Sequence, residues 1–143
     1  MIKKAFVNGE EIPREAVQHE FERLARLYSE TGMPAEEIKR NVERLLEQAQ
    51  EQAIGAKLLL LRARDLYLTP DELVARTCGG TPDPGEAEME AFYRANKASF
   101  GNAAFVQVQT KIREFLRHAA RSKVLAAFIA DLREKAKVEY RDS

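Results

Sequence analysis

Apolar side chains recur every three or four residues through the middle of this chain, the spacing of one helical face, while both ends read as short extended segments. Val17, Phe21, Leu24 and Tyr28 share one such face and predict a first helix that opens at Pro13 and stops at Thr31-Gly32. A second helix opens at Pro34 and places Glu36 and Glu37 in its first turn, where they complement the helix dipole. It continues through Ile38, Val42, Leu45, Leu46, Ala49 and Ala53 and is expected to reach as far as Tyr67. Gly55 lies inside it and costs about 1 kcal/mol relative to Ala, so it marks a close packing contact or a mild kink, with close packing the expected cause.

Thr69-Pro70-Asp71-Glu72 reads as a capping box that opens a short helix through Leu73, Val74 and Ala75. The breakers of Cys78-Gly79-Gly80-Thr81-Pro82-Asp83-Pro84-Gly85 predict a loop. A further helix starts near Pro84, carries Met89, Phe92 and Tyr93, and ends about Phe100-Gly101-Asn102. Phe105, Val108, Ile112, Phe115, Leu116 and Ala119 begin a last, long helix, which Val124, Leu125, Phe128, Ile129 and Leu132 carry on to Ala136.

The extended ends are Ala5-Phe6-Val7-Asn8-Gly9-Glu10-Glu11-Ile12 and Ala136-Lys137-Val138-Glu139-Tyr140. A lone strand leaves its backbone donors and acceptors unpaired, so the two are expected to pair with each other. The predicted fold is mostly α, with one short two-stranded sheet joining the N- and C-terminal strands. At 143 residues the chain is expected to form one domain. Residues 1–100 would hold the first strand and helices, 101–111 a short connection, and 105–143 the last helix and closing strand.

Residues 58–61 are four leucines in a row, which cover every side of a helical turn, so some must face core, a dimer mate or a client. The apolar fraction of 45% fits an ordered protein, and 23 basic side chains cancel 23 acidic ones, so no global field draws in nucleic acid or a membrane surface. Locally the charge is uneven. Residues 1–109 carry 14 Lys/Arg against 18 Asp/Glu, a net of −4, and residues 110–137 carry 8 against 3, a net of +5. The basic helix either lies beside acidic helices of the same fold or forms a ligand-binding stripe.

Candidate chemistry is sparse. His19 and His118 have no Cys or carboxylate at metal-ligand spacing, and the neighbouring carboxylates of Glu10-Glu11 and Glu36-Glu37 do not converge like an acid and base pair. Cys78 has no histidine close in sequence to activate it, and Gly79-Gly80 lacks the lysine and hydroxyl of a phosphate loop. No catalytic residue, metal or cofactor is therefore expected. No apolar run approaches membrane-spanning length, and no leader pattern follows Lys3 and Lys4. The expected compartment is the cytoplasm for the sequence as written, or the periplasm or extracellular space if a leader precedes it.

Several segments together resemble the SurA-like, parvulin-type foldase family. Val7-Asn8-Gly9-Glu10 with Ile12 is similar to the opening of its chaperone modules, and Leu68-Thr69-Pro70-Asp71-Glu72-Leu73 to a helix start within them. Ala91-Phe92-Tyr93-Arg94-Ala95-Asn96-Lys97-Ala98-Ser99-Phe100 resembles the segment that leads into the isomerase domain. Lys111-Ile112-Arg113-Glu114-Phe115-Leu116 and the stretch from Leu132-Arg133 to Tyr140 are similar to the returning helix and closing strand. The departure from the family lies in the middle: residues 101–111 stand where isomerase members carry a parvulin domain of ~100 residues, and neither histidine matches its motif.

The resemblance implies a helical chaperone module without the isomerase domain, binding unfolded or partly folded polypeptide without nucleotide and showing no isomerase activity. Leu58, Leu59, Leu61, Tyr67, Met89, Phe92, Tyr93 and Phe105 are the candidate polypeptide-binding residues, with basic side chains of the last helix at the rim. The competing expectation is a structural or partner-specific adaptor, dimeric through exchange of its terminal elements.

Overall fold

A computed structural model describes residues 2–142. It is mostly helical, with seven helices and a three-stranded antiparallel sheet among the described residues. The elements are β1 (Lys4–Val7), β2 (Glu10–Glu11), α1 (Arg14–Glu30), α2 (Ala35–Arg40), α3 (Val42–Asp65), α4 (Pro70–Cys78), α5 (Glu86–Ala95), α6 (Lys97–Phe100), α7 (Phe105–Lys135) and β3 (Val138–Arg141). They group into two compact units. One holds the residues up to Pro70 together with those from Ile129 on, and the other is Asp71–Phe128. No helix among the described residues is long and apolar enough to cross a membrane.

The terminal strands pair as expected. β3 lies antiparallel to β1 with Phe6 opposite Glu139 and Val7 opposite Val138. The sheet has three strands rather than the expected two, in the order β2-β1-β3, because the N-terminal segment is a hairpin and not one extended run. Asn8 and Gly9 take positive φ of 51° and 83°, the conformation that a two-residue turn between twisted strands requires and that Asn-Gly adopts at little cost. The same Asn8 ties the hairpin to the C-terminus. Its amide donates to the Lys137 carbonyl and its side-chain oxygen accepts from the Lys137 amide, both at 2.8 Å.

Alternation along β1 sends Ala5 and Val7 into the core beside Ile12, Val17, Leu24, Ala49, Ala53, Ile54 and Leu58. Phe6 points the other way, and the Arg141 guanidinium lies 4.3 Å from its ring centre. On α1, Val17 and Leu24 are buried while Phe21 and Tyr28 are half-buried against the same core, so the predicted face is the packed one. Helix α3 runs unbroken through Gly55, where a Cβ would meet Ile129 Cγ2 at 3.5 Å and Cδ1 at 3.8 Å. That is ordinary van der Waals contact. Gly55→Ala is therefore expected to raise stability by about 0.5–1 kcal/mol through helix propensity, as read from urea unfolding.

The second predicted helix is two helices. Asn41 interrupts it with φ −109° and ψ 18°, and its side-chain amide donates to the Glu37 carbonyl at 2.8 Å, the local bond by which Asn competes with a helical backbone. The C-terminal strand is held by more than its ladder. Arg133 donates to Glu51 at 2.6 Å and to the Tyr140 hydroxyl at 2.8 Å, and that hydroxyl donates to the second oxygen of Glu51.

Burial, and then the bond to Glu51, raise the Tyr140 pKa above its ordinary value. The unfolded chain therefore gives up this proton first. The stability that comes from the neutral phenol is complete below the unfolded value of about 10 and is lost as pH rises through the folded one. Urea unfolding across that alkaline range should show a loss that Tyr140→Phe lacks.

In the unit formed by Asp71–Phe128, Leu73, Cys78, Met89 and Ile112 are buried. Cys78 closes α4 rather than lying in the loop, and its Sγ sits 3.7 Å from the Arg121 carbonyl oxygen. Asp83, in the following loop, pairs with Arg117 at 2.8 Å. The helix expected to end near Phe100 is broken at Asn96, whose side chain donates to the Phe92 carbonyl at 3.0 Å, leaving α6 as a separate turn.

Candidate functional site

Helix α5 places Met89, Phe92 and Tyr93 at three- and four-residue spacing, so all three lie on one face. Gly101, at φ 58°, turns the chain after α6 and returns it into α7. Five rings meet there. Phe92 lies 5.2 Å from Phe115 and 6.3 Å from Phe100, and Tyr93 lies 5.5 Å from Phe100 and 5.6 Å from Phe105, between ring centres. These are favourable edge, tilted and stacked separations, each contributing on the order of 1 kcal/mol beyond burial. The Tyr93 hydroxyl donates to the Ala103 carbonyl at 2.7 Å, which fixes the turn between α6 and α7.

The cluster is not sealed. Phe92, Tyr93, Phe100 and Phe105 are half-buried and Phe115 is 57% exposed. Three of the expected polypeptide-binding residues, Phe92, Tyr93 and Phe105, thus come together, and they gather Phe100 and Phe115, which were not among the expected binding residues. Met89 is corrected: at 3% exposure it has no surface to offer a client and serves packing.

The remaining candidates lie on and just after α3. Leu58 is corrected in the same way, being 3% exposed and part of the core with Ala53 and Ile54. Leu59 and Leu61 are half-buried, and Leu61 packs against that core. Tyr67 is 96% exposed. It ends α3 at φ 58°, with its amide donating to the Arg64 carbonyl and the Leu68 amide to the Ala63 carbonyl. This is a Schellman cap in which a tyrosine holds the left-handed position that normally goes to glycine. Such a backbone costs an aromatic residue roughly 1 kcal/mol. Tyr67→Gly is accordingly expected to stabilise the fold by about that amount in urea unfolding, and to weaken polypeptide binding if this ring takes part in it.

Among the described residues no group of three or more His, Cys, Asp and Glu side chains could hold a metal ion. His19 and His118 are exposed, and Cys78 is buried. The Glu10 carboxyl is held below its ordinary pKa by its hydrogen bond and ion pair with Lys57 at 2.9 Å, a contact that fastens β2 to α3. An apolar groove of about 330 Å³ lies in the other unit and is lined by Ala5, Ile12, Val17 and Leu46 together with Lys4 and Arg14. No family model, curated protein or solved structure matches this chain.

Proposed function

We propose that this protein is an ATP-independent, chaperone-like binder of unfolded or partly folded polypeptides, a SurA-like helical module without an isomerase domain. The observation that carries the reading is the open five-ring cluster of Phe92, Tyr93, Phe100, Phe105 and Phe115, with Phe115 more than half exposed. A large ring left at the surface of a cluster that is otherwise packed offers an extended apolar segment a contact that needs no particular sequence. Closure of the fold by pairing of its terminal strands agrees with the module that the resemblance implies.

Suppression of aggregation tests the proposal. An unrelated unfolded protein, mixed at near-equal molar ratio without ATP, should remain in solution in the presence of this chain, and Phe115→Ala should reduce the protection. Absence of protection from the wild-type protein would contradict it. In a prolyl peptide isomerisation assay only the uncatalysed rate is expected, and turnover would contradict the reading as a module without its enzyme.

The second reading, a dimeric adaptor with exchanged ends, is favoured by one observation. The β1 and β3 strands that pair lie at opposite ends of the chain, so the same bonds can form between two copies. Light scattering after size exclusion, on the sample used for the aggregation assay, decides it: a tight dimer without protection supports the adaptor.

A further inference from the structure

The segment of α7 that presents Phe115 is also strongly basic, and most of that charge has no partner among the described residues. Between residues 110 and 128 the helix carries Lys111, Arg113, Arg117, Arg121 and Lys123 against one acid, Glu114. Arg117 is paired with Asp83. The side chains of the other four make no hydrogen bond or ion pair among the described residues. The acids of α5 do not neutralise them: Glu90 pairs with Arg94 on its own helix at 3.8 Å, and Glu86 and Glu88 are exposed.

Spacing sets part of this charge around the exposed ring. At roughly 100° per residue, Lys111 stands one turn before Phe115 on the same side, and His118 and Ser122 stand one and two turns after it. Lys123 lies about 80° round the helix from Phe115 and Arg121 about 120°, close enough for a long side chain to reach toward the ring, while Arg113 lies about 160° round. Lys111, His118, Arg121, Ser122 and Lys123 are all exposed. The face therefore offers one large apolar contact with uncompensated positive charge at both ends.

We propose that this face of α7 selects acidic polypeptide segments, binding an apolar side chain at Phe115 and carboxylates at Lys111, Arg121 and Lys123. The inference rests on the polypeptide-binding reading and adds a charge class to it. Polypeptide is favoured over nucleic acid for two reasons. The net charge of the whole chain is zero, and the rings pack mainly on each other, leaving one exposed rather than a platform on which successive bases could stack.

Fluorescence anisotropy on the full chain tests it with three labelled probes: an unstructured peptide of apolar and Glu residues, its counterpart with Lys in place of Glu, and a single-stranded RNA. The acidic peptide should bind about tenfold more tightly than the basic one at low salt, the scale of a few exposed ion pairs, and the margin should shrink as salt screens them. The triple variant Lys111→Glu, Arg121→Glu, Lys123→Glu should reverse the preference. Phe115→Ala should weaken both peptides. Each variant is checked for folding by circular dichroism, and Arg113→Glu serves as a charge change off the face that should leave most of the preference in place.

Equal binding of the two peptides by the wild-type protein would overturn the charge selection and leave the chaperone-like reading standing. Tighter binding of RNA than of the acidic peptide would overturn it in favour of nucleic acid. Binding of neither peptide would overturn both the selection and the reading on which it rests.

Discussion

Deleting residues 137–143 should cost several kcal/mol of stability, far more than trimming an ordinary tail. The segment supplies the whole β3 ladder with β1, the reciprocal bonds between Asn8 and Lys137, and the half-buried Val138 against the core. It also carries Tyr140, the member of the polar triangle that joins the strand to Glu51 and Arg133. At about 1 kcal/mol for each net hydrogen bond, with the lost packing added, the loss is on the order of 4 kcal/mol, a large part of what a domain of this size has to spare. What remains of the sheet is the β1–β2 hairpin, and a two-stranded hairpin is marginal in water. Urea unfolding followed by circular dichroism measures the effect, with a deletion of residues 142–143 as control. An unchanged midpoint in the longer deletion would remove the terminal strand from the account of stability.

The second large effect separates core from surface among side chains that composition treats alike. Leu58→Ala is expected to cost about 2–5 kcal/mol, because Leu58 is 3% exposed among Ala53, Ile54 and Val17 and its loss leaves a cavity the neighbours only partly fill. Phe115→Ala is expected to cost about 1 kcal/mol or less in the same measurement, since the ring is 57% exposed and touches the cluster mainly through Phe92. The two substitutions should exchange places in a binding assay, where Leu58→Ala in its folded fraction leaves affinity unchanged and Phe115→Ala reduces it. A Phe115→Ala variant as unstable as Leu58→Ala would return that ring to the core.

The helices were legible where one apolar stripe meets one core. On α1 the four-three-four spacing from Val17 to Tyr28 identifies the side that packs, and the terminal strands were legible because an extended segment at each end needs a partner for its backbone donors and acceptors. The β1–β2 hairpin was missed although Asn8-Gly9 is the strongest short turn signal in the chain, since β2 is only two residues long and its exposed glutamates show no apolar alternation. The break at Asn41 depends on a side-chain bond to Glu37 that apolar periodicity does not register. Among four consecutive leucines, spacing alone could not say that Leu58 is the buried one.

The site was half legible for the same kind of reason. Phe92, Tyr93 and Phe105 drew notice as large apolar residues of two successive helices, but their gathering with Phe100 and Phe115 depends on the turn at Gly101 and the bond from Tyr93 to Ala103. Those contacts join residues 7 to 23 positions apart across helix boundaries, which no helical period encodes. Tyr67 is the converse. Its place at the end of α3 is readable from sequence, whereas its left-handed backbone is not, because tyrosine is a residue that rarely adopts it.

The claim that an unfolded chain binds at the α5–α7 ring cluster is tested most directly by photo-crosslinking. A photoreactive phenylalanine analogue is placed at position 115 in one sample and at position 27 in another, where Leu27 is exposed to a similar degree on α1. Both proteins are illuminated with a reduced, permanently unfolded client in the absence of ATP. The account predicts crosslinked client from position 115 and little from position 27. Equal yields at the two positions, or none at 115, would contradict it.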